Sequence, residues 1–132
     1  MRLTWTLAGA GWADGVVEGE LGRAEFSVSC IAPGPERAQF EAEPTAFRWV
    51  FYREGEMVWV RVLELPDGGA HDGRGVEIWS GVVGVEELGR AAIRCFDEVE
   101  RVYGVSGYRG KWGEHFPSVE LEALRRLVDG LP

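Results

Sequence analysis

The hydrophobic period of the chain changes once, near residue 84, and that change constrains the fold more than any other feature. Before it, apolar and polar residues alternate. Leu3, Trp5 and Leu7 stand against Thr4 and Thr6, and Ala24, Phe26, Val28 and Cys30 against Glu25, Ser27 and Ser29. A period of two places each set on one face of a strand. After it, Val85, Leu88, Ala92, Cys95, Phe96, Val99, Val102 and Tyr103 recur at helical spacing. Strands first and helices afterwards predict an α+β fold: an antiparallel β-sheet meander of about six to seven strands, then two C-terminal helices packed on one face.

A chain of 132 residues suits a single domain spanning 1–132. Its parts are a sheet over 1–84, a helix over 85–104 that Gly104 ends, an aromatic loop over 105–117, and a helix over 118–130 that Ser118 caps. Within the sheet, "APGP" (32–35) reads as a turn and "RAQFEAE" (37–43) as a short edge strand with Glu41 and Glu43 as edge charges. "PDGGAHDGRG" (66–75) reads as a solvated hairpin loop, and "VEIWSGVV" (76–83) as the last strand.

The stretch "FRWVFYREGEMVWVRVL" (47–63) is a β-hairpin with Glu54-Gly55 as its expected turn. That register gathers Phe47, Trp49, Phe51, Val58, Val60 and Val62 on a core face, and sets Arg48 opposite Arg61 on the other. Like charges in that position repel unless a carboxylate, an anion or solvent intervenes. Keeping Val76 and Ile78 on the core face puts Glu77 and Trp79 beside the arginines. The expected outer face is then Arg48, Val50, Tyr52, Trp59, Arg61, Leu63, Glu77 and Trp79. Either Glu77 neutralises Arg61 while tryptophans cover arginine stems, or the face is a contact surface rich in interface residue types, or it is an anion pocket.

Acidic residues outnumber basic ones by 22 to 14, giving a formal net charge of −8, which argues against nucleic acid as a partner. No stretch approaches a membrane span, and the start alternates like a strand, so a cytoplasmic location is expected. Lys111 is the only lysine, Gln39 the only glutamine, and asparagine is absent, a composition that suits a GC-rich bacterial genome. Cys30 and Cys95 are too few for a disulfide framework or a zinc site and read as two small inward residues.

No motif carries chemistry. "GAGWADG" (9–15) has Asp14 where a dinucleotide loop needs its third glycine, and a strand follows it, so it is a hairpin turn. "DGGAHDG" (67–73) lacks calcium-loop spacing. Neither a nucleophile elbow, a P-loop nor a zinc-helix motif exists. No catalytic residue, metal or cofactor is expected. The loop "SGYRGKWGEHFP" (106–117) concentrates Tyr108, Trp112, His115 and Phe116, and reads either as a lid over the sheet's open end or as a ligand mouth with His115 as its polar group.

The segments "EPTAFRWVF", "VRVLELPD", "ERVYGVSGYRGKW" and "HFP", followed by a Leu-rich helix, resemble a group of small uncharacterised proteins from high-GC bacteria over about two-thirds of the chain. The resemblance implies an α+β fold and assigns no activity. That group carries a helix between its third strand and "EP"; the corresponding interval here, "APGPERAQF", is short.

The function expected from all this is a non-enzymatic protein-interaction domain. Its partner is another protein or a second copy of the chain, and one form is an immunity-type protein neutralising a basic toxin. The alternative is a small ligand-binding protein or enzyme with a pocket lined by the aromatic loop. The binding candidates are Arg48, Trp59, Arg61, Glu77, Trp79, Tyr108, Trp112 and His115.

Overall fold

The computed structural model describes residues 1–20, 22–32 and 38–131. The fold is α+β, with antiparallel strands followed by two C-terminal helices. The strands do not form one meander. β1 (Arg2–Gly9), β2 (Trp12–Gly19) and β3 (Gly22–Val28) make a small sheet in that order. β4 (Cys30–Ala32), β5 (Ala38–Glu41), β6 (Ala46–Glu54), β7 (Met57–Leu65) and β8 (Val76–Gly84) make a larger one. The break falls at Ser29, whose backbone N–H and hydroxyl both donate to the Glu41 carbonyl oxygen, at 2.6 and 3.0 Å. Alternation runs unbroken through Ser29, so the pattern carried no sign that the chain changes sheets there. It also follows that β5 is not an edge strand, because β4 pairs outside it. Residues 33–35 of the expected turn and the side chain of Cys30 lie outside the described residues.

The inner face of the small sheet is set by its registers. Rows Leu7–Ala13–Val28, Trp5–Gly15–Phe26 and Leu3–Val17–Ala24 cross three strands. This face packs on the core face of the hairpin: Phe26 meets Phe47 and Trp49 with ring centroids 5.5 and 6.1 Å apart. Gly15 makes room for Phe26, since a Cβ there would lie 2.5 Å from the ring. The glycine that weakens the strand on paper is what admits the aromatic. Burying one such side chain stabilises by about 1.5–3 kcal/mol.

Helix α1 (Val85–Trp112) closes the side of this double layer along β1. Three contacts fix it there, in the same order along both elements: the Met1 amino group to Glu87, the Leu7 N–H to the Tyr103 hydroxyl at 3.0 Å, and the Gly11 N–H to the Lys111 carbonyl at 2.9 Å. The helix therefore runs parallel to β1. Gly104 leaves the helical conformation (φ 70°, ψ 170°), as a terminating glycine should, but the chain resumes helix beyond it. The expected aromatic loop 105–117 is thus helical as far as Trp112; Gly113, at φ 97°, is the true end. Tertiary contact of Tyr108 and Trp112 with the core outweighs the glycine's stop signal. Ser118 is the first residue of α2 (Ser118–Asp129), and Pro117, not Ser118, holds the cap position. Among the described residues no helix is long and apolar enough to cross a membrane.

Candidate functional site

The hairpin β6–β7 turns at Gly55-Glu56, one residue later than expected, because Gly55 takes the positive φ (62°) of the first turn position. Every pair shifts accordingly. Arg48 lies opposite Leu63 and Arg61 opposite Val50, so the cross-strand arginine pair does not exist. The two faces are unchanged, because both registers pair odd-numbered with even-numbered residues.

A β-bulge alters the outer face more. Between Val62 and Leu63 the register with β8 slips: Val62 pairs with Trp79 and Leu63 with Glu77, leaving Ile78 extra. Glu77 stays outside, as expected. Trp79 does not; it moves to the core face, is 6% exposed, and donates its indole N–H to the Gly22 carbonyl at 3.1 Å. Its ring lies over Gly81 and Gly19, where a Cβ would approach within 2.7 and 3.0 Å.

The remaining outer face has two ends. At one, Ala46, Leu65 and Ala70 form a small apolar cluster beneath the 66–75 loop. This loop is therefore a cover, not a solvated hairpin loop. It buries Arg48 to 5% exposure. The Arg48 guanidinium donates to Gln39 Oε1 at 2.7 Å, Asp72 Oδ1 at 2.8 Å and the Gly68 carbonyl at 3.3 Å. At the other end, Tyr52, Trp59 and Val82 form one exposed row across three strands, with Trp59 46% exposed. Arg61 donates to Glu77 at 2.7 Å, and its guanidinium carbon sits 5.3 Å from the Trp59 ring centroid.

Tyr108, Trp112 and His115 part company. Trp112 is buried, edge-on to Trp5 with centroids 5.5 Å apart. The indole N–H groups of Trp5, Trp49 and Trp112 are buried without a hydrogen-bond partner among the described residues. His115 is exposed. Tyr108 is 3% exposed and lines two adjoining cavities.

The inner cavity, about 370 Å³, lies between β1, the inner faces of both sheets, α1 and α2. Trp5, Phe26, Trp49, Leu88, Phe96 and Leu124 supply much of its wall, and among the described residues no charged side chain lines it. Burial pushes the Cys95 thiol up to about 11, so this wall residue is a neutral thiol at physiological pH. The outer cavity, about 490 Å³, shares Ala92, Phe96, Tyr108 and Leu124 with the inner one and adds Glu114, His115 and Glu120. Burial first, then the Glu114 carboxylate and, at the high pH where it ionises, the Cys95 thiolate, push the Tyr108 phenol up to about 12, so its hydroxyl stays protonated. That hydroxyl has no hydrogen-bond partner among the described residues.

Sequence reasoning read Tyr108, Trp112, His115 and Phe116 as a lid or as a ligand mouth, and missed the inner wall. Leu88, Ala92, Phe96 and Leu124 read as ordinary core stripes. One signal was available: Ala92 puts a small residue into the apolar stripe of α1, where a close-packed helix would carry a larger one, whereas Gly89 admits Val128 of α2, which a Cβ there would meet at 2.5 Å. No family model matches the chain, nor does any curated protein or solved structure.

Proposed function

We propose that this protein binds a small apolar ligand in the cavity bounded by β1, the two sheets and the helices, without performing chemistry on it. The observation that carries this reading is the inner cavity itself: about 370 Å³, in the range of small-molecule sites, with no charged side chain in its wall among the described residues. An apolar wall open to water favours an apolar occupant, which removes that surface from water. Among the described residues the lining offers no nucleophile paired with a base, which favours binding over catalysis.

The test is titration with Nile red, a neutral apolar dye, read through dye emission and the fluorescence of Trp5 and Trp49. Saturable binding of one dye per chain is expected. Ala92→Trp, which puts an indole where the two cavities meet, should abolish it while circular dichroism stays native. Equal binding by wild type and Ala92→Trp rejects the cavity as the site.

A second reading rests on the exposed row Tyr52–Trp59–Val82. An aromatic strip of this kind supports contact with another protein or a second copy of the chain. Glu54, Glu56 and Glu77 around it, with the net charge of −8, favour a basic partner, such as a toxin held by an immunity-type protein in a bacterial cytoplasm. Loss of a complex on Trp59→Glu, in sedimentation, would support this reading; a strictly monomeric wild type removes its homodimer form.

A further inference from the structure

We propose that the ligand is a cationic amphiphile, with an aliphatic body in the inner cavity and a positively charged head in the outer one. This rests on the inner cavity being a ligand site and adds the chemistry of what it selects. The two cavities adjoin, since Ala92, Phe96, Tyr108 and Leu124 line both. Their walls differ sharply. The inner wall is aliphatic and aromatic and offers nothing to a charge. The outer wall adds two carboxylates, Glu114 and Glu120, against one imidazole, His115.

Three features of the outer wall favour a cation. Glu114 and Glu120 attract a positive head and repel a carboxylate or phosphate. The negative field of Glu114 is already felt at Tyr108, where it raises the phenol. Phe96 and Tyr108 border the same space, and aromatic rings attract quaternary ammonium groups. Tyr108 is buried and lines both cavities.

Displacement of Nile red from the full chain separates the two levels of the proposal. The competitors are decyltrimethylammonium, decanol and decanoate, with the octyl homologue of each, all below their aggregation concentrations. Affinity should fall in the order cation, alcohol, carboxylate, with at least tenfold between first and last. Each added methylene should tighten binding about fourfold whatever the head. In the double variant Glu114→Gln/Glu120→Gln, both exposed positions, the cation's advantage should collapse toward parity while the chain-length dependence persists. Decanoate binding as well as the ammonium compound overturns the cationic head and leaves the apolar cavity standing. Competitors that bind without chain-length dependence, or not at all, overturn both. An unchanged head preference in the double variant overturns the assignment to Glu114 and Glu120.

Discussion

Arg48 and Arg61 stand on the same face of the same sheet, in adjacent rows, and live in different media. Arg48 lies under the 66–75 loop, with Gln39, Asp72 and the Gly68 carbonyl around its guanidinium. Arg61 is about a third exposed, with Glu77 beside it and Trp59 under it. The geometry of the two ion pairs is alike, at 2.8 and 2.7 Å, so distance does not separate them. Cover does. A loop that excludes water turns one arginine into part of the packing and makes every unmade hydrogen bond costly; the other arginine trades a protein partner for water at little cost. The comparison teaches that a charged residue on an apolar sheet face marks a functional surface only where nothing lies over it.

Four substitutions break or sharpen that comparison. Arg48→Ala should have the largest effect, about 3–5 kcal/mol of stability in chemical denaturation, because it removes one member of a buried polar group and leaves the Gln39 oxygen without its donor, while the Gly68 carbonyl keeps only the Gln39 amide N–H at 2.9 Å. A loss under 1 kcal/mol would mean that water reaches this end and the contrast is false. Gly81→Val comes next, at about 1–3 kcal/mol, since its side chain would overlap the Trp79 ring that the bulge brings to the core face. A neutral result would place Trp79 outside, beside Trp59, and enlarge the exposed face. Arg61→Ala should cost about 1 kcal/mol or less, and less still in high salt. Trp59→Glu should change stability by about 0.5 kcal/mol or less. If it unfolds the protein instead, the open end is covered after all.

The faces behind this contrast were legible before the structure, but the cover over Arg48 was not, since 66–75 read as a solvated loop. The alternation in 47–63 assigns the hairpin's two faces, and both stand. The position of the turn was not, because Glu54-Gly55 and Gly55-Glu56 each offer Gly55 for the positive φ, and one residue of difference moves Arg48 away from Arg61. Of the candidate residues, Trp59, Arg61 and Glu77 come together as expected. Trp79 leaves them because a bulge costs one residue and carries no reliable sequence mark. Tyr108 and His115 border a cavity, while Trp112 and Phe116 are buried, Trp112 against Trp5.

What the sequence determines by itself is local. Period two before residue 84 and period 3.6 after it select strands and then helices, because side-chain direction repeats with those periods in those backbones. The tertiary structure alone decided the rest: the split of the strands at Ser29, the loop folded over Arg48, the helix resumed beyond Gly104, and the cavity left between β1, the two sheets and the helices. Each is a choice between near-equal local states, settled by contacts between residues far apart in the chain. Alternation says which residues are buried; it cannot say against what, and a cavity is a property of two walls at once.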